Sequence, residues 1–178
     1  QTSQNENTIQ FNYFMGDQLI NIKYRDGRKN FKLYKGAEKV FYNINSVVGY
    51  DWCVVVEGEM DVLALHEAGI KNAISVPNGA TLNSNNLEYL DNCIDYLDDK
   101  TKIVLAVDAD DAGQALKQEF IRRLGAEVCF LVEFNGQKDA NEYLIEHGAA
   151  ELRNAIHTAT QVPLEGVTTL SDIQDELK

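Results

Sequence analysis

Residues 103–113 read Ile-Val-Leu-Ala-Val-Asp-Ala-Asp-Asp-Ala-Gly, an apolar run of strand length closed by three acids and a glycine. A run this short and β-branched, bounded by turn residues, reads as a buried strand of a parallel sheet. The same design occurs upstream, where Cys53-Val54-Val55-Val56 runs into Glu57-Gly58-Glu59-Met60-Asp61. Between and beyond these two lie further alternations. Met60 to Ala68 reads as a helix stopped by Gly69, and Ala73 to Val76 as a strand broken by Pro77-Asn78-Gly79. Leu87, Leu90, Ile94 and Leu97 share one helical face, and Leu116, Phe120 and Leu124 recur at four-residue intervals before Gly125. Val128 to Phe134 reads as a fourth strand, and two short helices split at Gly148 follow. Strands alternating with helices of this length imply βαβ units with right-handed crossovers. The expected class is α/β, a mostly parallel four-stranded sheet flanked by helices.

The first 50 residues differ. The first dozen are polar and expected to be mobile. Beyond them Ile20, Ile22 and Tyr24 alternate with Asn21, Lys23 and Arg25, and Phe31 and Leu33 follow a turn at Asp26-Gly27. Asp-Gly between alternating runs is a hairpin signal, and Gly16-Asp17 and Lys35-Gly36 mark neighbouring turns. These residues are read as a small antiparallel, β-rich subdomain of three or four strands at 1–50, preceding an α/β domain at 51–160. The tail at 161–178, with Pro163 and Gly166, reads as a linker toward a further domain. The chain opens on Gln1 and not Met, so a piece of a larger protein is expected.

The chain has 178 residues, 44% hydrophobic and 25% charged, which is ordinary for a globular protein of one domain with room for a small second one. Its apolar runs reach about five residues, far short of the ~20 needed to span a bilayer. Cys53, Cys93 and Cys129 lie far apart in apolar stretches. They form neither a zinc module nor a disulfide framework, so no zinc is expected in this fragment and a reducing, cytoplasmic setting is. Neither a P-loop nor a Rossmann fingerprint occurs, which excludes ATP hydrolysis by a helicase motor in this piece. The net charge of −12 hides an asymmetry, since residues 1–50 carry +3 and the remainder −15. A basic arm beside an acidic body suits a polyanion held next to divalent metals, although a solvated acidic surface accounts for the charge as well.

Ligands of open parallel sheets bind beyond the carboxyl ends of the strands, and here those ends carry the acids. Asp108 and Asp110, two apart in extended chain, face one side together, and Glu57 meets them if its strand is a neighbour. Several anions at one rim repel one another by a few kcal/mol per close pair at an effective dielectric of ~20. All-oxygen ligands of this kind suit Mg²⁺ or Mn²⁺, which also engage substrate phosphates. Acids at helix starts can instead cap N–H groups and complement the dipole. That role fits Glu59, Asp61 and Asp111 at least equally well. It is not needed for Glu57, Asp108 and Asp110, which close apolar strands.

A strand ending in Glu57-Gly58 followed by one ending in Asp108-x-Asp110 resembles the Toprim domain shared by primases, topoisomerases and certain nucleases. The likeness extends further. Val56-Glu57-Gly58-Glu59-Met60-Asp61, Val76-Pro77-Asn78-Gly79-Ala80, Asp108-Ala109-Asp110-Asp111-Ala112-Gly113 and Lys138-Asp139-Ala140-Asn141-Glu142 stand in the order and spacing of bacteriophage-type primase-helicases, the group that includes the mitochondrial helicase Twinkle. The basic hairpin from Lys23 to Lys32 is similar to the segment preceding Toprim in that group, and Gly166 to Ile173 resembles its linker into the helicase.

The resemblance implies a Toprim fold and a DNA primase core that makes short RNA primers on single-stranded DNA from ribonucleoside triphosphates, with a helicase domain in the full-length chain and no membrane. It implies Glu57 as general acid/base and as one of the metal-site acids, Asp108 and Asp110 as Mg²⁺ or Mn²⁺ ligands, and Asp139 as the residue completing the acidic rim. Lys23, Arg25, Lys29 and Lys32 on the hairpin, with Lys138 and Asn78 at the rim, are implied in nucleotide or DNA binding. Lysines on a sheet edge also discourage aggregation, and Asn78 also suits a plain turn. Two other readings stand beside the primase: a Toprim nuclease using the same carboxylates, and a non-catalytic DNA-binding module of a replicative helicase.

Overall fold

The computed structural model describes residues 2–5, 8–78 and 87–163. The chain begins with a four-stranded antiparallel sheet, β1 (Thr2–Asn5), β2 (Thr8–Met15), β3 (Gln18–Asp26) and β4 (Phe31–Leu33), in sequence order. The expected mobile start is therefore corrected. Thr2–Asn5 pairs with Thr8–Phe11 of β2, because backbone N–H and C=O groups find ladder partners even where side chains are polar. Gly16, at φ 58°, makes the two-residue turn between β2 and β3. The Asp26 turn is longer than a two-residue hairpin. The Asp26 carboxylate accepts from the N–H groups of Arg28 at 2.8 Å and Asn30 at 2.9 Å, which lets Lys29 sit at φ 63°.

A five-stranded sheet follows, of β5 (Trp52–Val56), β6 (Ala73–Ser75), β7 (Lys102–Leu105), β8 (Cys129–Leu131) and β9 (Thr160–Gln161), in the order β6-β5-β7-β8-β9. The first four run parallel, as their apolar content predicts. β9 is an antiparallel fifth strand that sequence reading misses, since two polar, exposed residues paired with Leu131 and Phe130 carry no periodicity. The β6 edge is closed by Tyr42, whose N–H donates to Ser75 O at 2.9 Å.

Helices α1 (Glu59–Glu67), α2 (Glu88–Asn92), α3 (Asp111–Leu124) and α4 (Ala140–His157) flank this sheet. Gly148, at φ 84° and ψ 170°, divides α4 where a break is expected. The helix expected from Leu87 to Leu97 breaks at Cys93 and continues as a 3₁₀ turn over Ile94–Tyr96. The tighter turn buries Cys93 and Leu97 and leaves Ile94 outside. One apolar core joins both sheets. Phe11 and Tyr13 of β2 and Val40 to Tyr42 of the connection pack with Val54, Ile74, Leu105 and Phe120, all buried. Each such side chain contributes roughly 1.5–3 kcal/mol on burial. The antiparallel sheet is thereby seated against the rim of the parallel one.

Candidate active site

β5 lies between β6 and β7, so Glu57 and Asp108 leave adjacent parallel strands at the same edge. Glu57 Oε1 accepts from the backbone N–H of Asp108 at 3.0 Å. The approach is close enough that Gly113 is required. A Cβ there would lie 2.2 Å from Asp108 O and 2.7 Å from Glu57 Oε1. The loop after β7 is tied to the loop before α4 by the Ala109 N–H, which donates to Lys138 O at 3.0 Å. This brings Asp139 to the same rim.

Glu57, Asp108 and Asp139 line one cavity of about 500 Å³ together with Asp61, Lys138 and Asn78. Carboxylate oxygens of Asp61, Asp108 and Asp139 all lie within 4.8 Å of one another. Asp61 is only 6% exposed and accepts the Asn141 N–H at 3.0 Å. Burial, and then the Asp139 charge, push its carboxyl up from 3.8 to about 7. Burial raises Asp108 as well, outweighing the Lys138 ammonium that favours its ionised form. Lys138 Nζ stands 2.8 Å from Asp108 Oδ2 and is held above its ordinary range chiefly by that contact. Three crowded carboxyl groups, one of them buried, are stabilised as anions by a cation among them. The all-oxygen donor set is that of a hard divalent ion. The residues fit one.

Capping departs from expectation at Asp110, Glu59 and Asp61. Asp110 caps α3 by accepting the Gly113 N–H at 3.0 Å, and Asp139 caps α4 by accepting the Glu142 N–H at 2.8 Å. The Asp110 side chain is half-exposed, outside the three-acid cluster, and 3.6 Å from Lys138 Nζ. Glu59 and Asp61 do not cap α1, whose N-cap is Gly58. Both are buried. Asp61 is the acid of the cluster that sequence reading leaves among the caps. The available signal is its place beside Val62 and Leu65 on the buried side of α1. Glu59 receives hydrogen bonds from the Tyr13 hydroxyl and, at 2.8 Å, from Lys23 Nζ.

The hairpin cations separate. Lys23 is 8% exposed, bound to Glu59 and, at 3.1 Å, to Pro77 O, with Nζ 4.8 Å from the Phe31 ring centre. Arg25 Cζ is 5.8 Å from the same ring. Lys29 stands exposed at the hairpin tip. Lys32 points to the other face of β4, into a groove of about 700 Å³ shared with Tyr24 and Tyr34. Of the four, Lys23 alone lines the acidic cavity. Asn78 is exposed on that cavity's wall, and Gly79 and Ala80 of the same motif lie outside the described residues, as does the tail from 164 onward. Cys53, Cys93 and Cys129 are buried free thiols, with Cys53 pushed up to about 12 by burial. Among the described residues no helix is long and apolar enough to cross a membrane.

A family model described as Toprim-like matches residues 54–144, the span that carries Glu57, Asp61, Asp108, Asp110 and Asp139. A primase homolog protein of Arabidopsis thaliana is 38% identical over 177 residues, covering 90% of this chain and 52% of the relative. The Twinkle homolog protein, chloroplastic/mitochondrial, of the same plant is 35% identical over 189 residues, covering 97% of this chain and 27% of the relative. The chain thus spans about half the length of the first and about a quarter of the second. Among solved structures, the primase fragment of the bacteriophage T7 primase-helicase protein superposes with a TM-score of 0.73 at 24% identity, over 84% of this chain and 62% of that one. That likeness is one of fold.

Proposed function

The chain belongs to the Toprim-like family, and on that premise we propose that it is the RNA-polymerising core of a DNA primase, joining ribonucleotides into short primers on a single-stranded DNA template. The observation that carries the reading is the convergence of Glu57, Asp61, Asp108 and Asp139, from three separate segments, on one cavity. In the proposed reaction the 3′-hydroxyl of the growing primer forms a bond to the α-phosphorus of an incoming triphosphate. The α–β anhydride bond breaks, and pyrophosphate leaves. Glu57 takes the hydroxyl proton, a role worth typically 10²–10⁴-fold. Asp61, Asp108 and Asp139 would hold Mg²⁺ or Mn²⁺, with Asp110 at the margin. When bound, such an ion neutralises phosphate charge and polarises the attacking and leaving oxygens. Lys138 and Asn78, on the cavity wall, serve the phosphates. Arg25, Lys29 and Lys32 serve the template backbone from the hairpin.

The relatives' names support this reading, and the Twinkle homolog supports a helicase as the partner domain of the full-length chain. We assign residues 1–50 to template handling, 51–161, closed by β9, to the Toprim domain and 162–178 to a connection toward that helicase. The three buried thiols suit a reducing compartment such as the cytoplasm. The test is primer synthesis from ribonucleoside triphosphates on single-stranded DNA with Mn²⁺ or Mg²⁺. Wild type should make short RNA, and Glu57→Gln should lose at least a hundredfold in rate. Failure of wild type to extend, with cleavage of a labelled oligonucleotide when nucleotides are omitted, would replace this reading with the nuclease.

A further inference from the structure

Lys138 stands where a bound cation would press. Its Nζ is 2.8 Å from Asp108 Oδ2 and 3.6 Å from Asp110 Oδ2, yet its side chain is half-exposed, at 51%. The backbone of Lys138 is fixed through both of its peptide units, since its carbonyl accepts the Ala109 N–H at 3.0 Å and its N–H donates to Glu142 Oε2 at 3.0 Å. Only the four-carbon stem is left to move. Lys138 lines both the acidic cavity and an adjoining one of about 670 Å³, whose polar lining includes Asp110, Gln114, Lys117, Glu133, Gln137 and Glu142. An ammonium ion in this position brings one positive charge to a cluster of at least three carboxylates, which it neutralises only in part. A divalent ion held by Asp61, Asp108 and Asp139 would compete for the same Asp108 carboxylate and repel Nζ.

We propose that Lys138 is a resident counter-ion of the acidic cluster, displaced from Asp108 when a divalent cation enters, and that the released ammonium then engages a phosphate oxygen of the ligand the cation carries in. The proposal rests on the divalent-metal reading of the site and adds a coupling to it. Before loading, Lys138 opposes the metal. After loading, it favours a metal–polyphosphate complex over the metal alone. Metal and phosphate binding are thereby linked through one side chain.

Calorimetric titration of the 178-residue chain tests this without any turnover, using Mn²⁺ alone and the preformed Mn²⁺–tripolyphosphate complex. Lys138→Met removes the competing charge from a half-exposed position. It should bind Mn²⁺ roughly fivefold tighter than wild type, the factor that a partly exposed ion pair is worth. The same variant should bind the complex about tenfold more weakly, having lost a charge-assisted contact to phosphate. Lys138→Arg should follow wild type in both titrations, because both arms require a cation. Equal or weaker Mn²⁺ binding by Lys138→Met overturns the proposal, and so does an unchanged affinity for the complex. Asp108→Asn separates this failure from that of the site itself. If Asp108→Asn binds Mn²⁺ as wild type does, the acidic cluster is not the metal site.

Discussion

The carboxylate of Glu57 is anchored to the backbone of Asp108, with Oε1 accepting its N–H at 3.0 Å. Two adjacent parallel strands are therefore locked together where the chemistry is proposed to occur. The lock works only because the first turn of α3 places Gly113 beneath both groups. A general base held by a backbone donor does not reorient when substrate arrives, and such preorganisation is what a proton acceptor needs.

Gly113→Ala should break this anchor. The added methyl would lie 2.2 Å from a backbone oxygen, which cannot swing aside as a side chain can. The loop after β7 or the start of α3 must shift, costing about 1–3 kcal/mol as overpacking usually does. Urea denaturation should show that loss, and primer synthesis should fall further than stability alone explains. Unchanged stability would mean that the close approach does not exist in solution.

Lys23 of β3 and Glu59 of α1 form a buried pair joining the antiparallel sheet to that helix, with Tyr13 and Pro77 O as their further partners. Removing one partner of such a pair strands the other charge and costs roughly 3–5 kcal/mol, whereas replacing both by apolar groups can be nearly neutral. Glu59→Leu and Lys23→Met should each lower the melting temperature sharply, and the double variant should recover most of it. Strict additivity in that cycle would show that Lys23 is solvated and available to ligand, as the resemblance implies, and not structural.

The parallel sheet was legible because Cys53–Val56 and Ile103–Val107 are short, β-branched and closed by acids, a pattern with few other solutions. Asp108 was legible by its place at a strand end, and Asp139 only through the family resemblance carried by residues 138–142. Asp61 was not, because one acid in the first turn of a helix looks alike whether it caps the helix or faces a neighbour. Only the packing of α1 against α4, far apart in sequence, decides between them. The partners of Lys23 were hidden for a related reason. Alternation along β3 assigns it to a face, but whether that face meets solvent or Glu59 depends on a contact spanning 36 residues. β9 left no trace, since its pairing is made by backbone alone.

Because Lys29 and Lys32 lie on exposed hairpin positions and not in the acidic cavity, they should act on template and not on nucleotide. Each Lys→Ala substitution should weaken single-stranded DNA binding for all sequences and reduce the slope of log affinity against log salt by about 0.7. The apparent KM for ribonucleotides should stay unchanged. Fluorescence anisotropy across a salt series measures the first effect, and a slope identical to wild type would remove these lysines from the template path.

Asp61 makes the metal-free protein sensitive to alkali. Its carboxyl is raised from 3.8 to about 7 by burial and by Asp139, so the folded state favours its neutral form. A raised acid contributes its stability in full below the unfolded value and loses it as pH climbs through the folded one. Between 3.8 and about 7 the difference converts to about 4 kcal/mol, at about 1.4 kcal/mol per pH unit. In EDTA, stability should therefore decline from pH 5 to pH 8, and Asp61→Asn should flatten most of that decline. Metal reverses the sign, because the cation needs the ionised carboxylate. Mn²⁺-induced stabilisation should grow from pH 6 to pH 8 in wild type, as the proton on Asp61 ceases to compete with the cation, and should be small at every pH in Asp61→Asn. Melting curves with EDTA and with Mn²⁺, at three pH values for the two proteins, contain the whole test. A wild-type melting temperature that holds steady from pH 5 to pH 8 in EDTA would place the Asp61 carboxyl in water and dissolve the three-acid cluster.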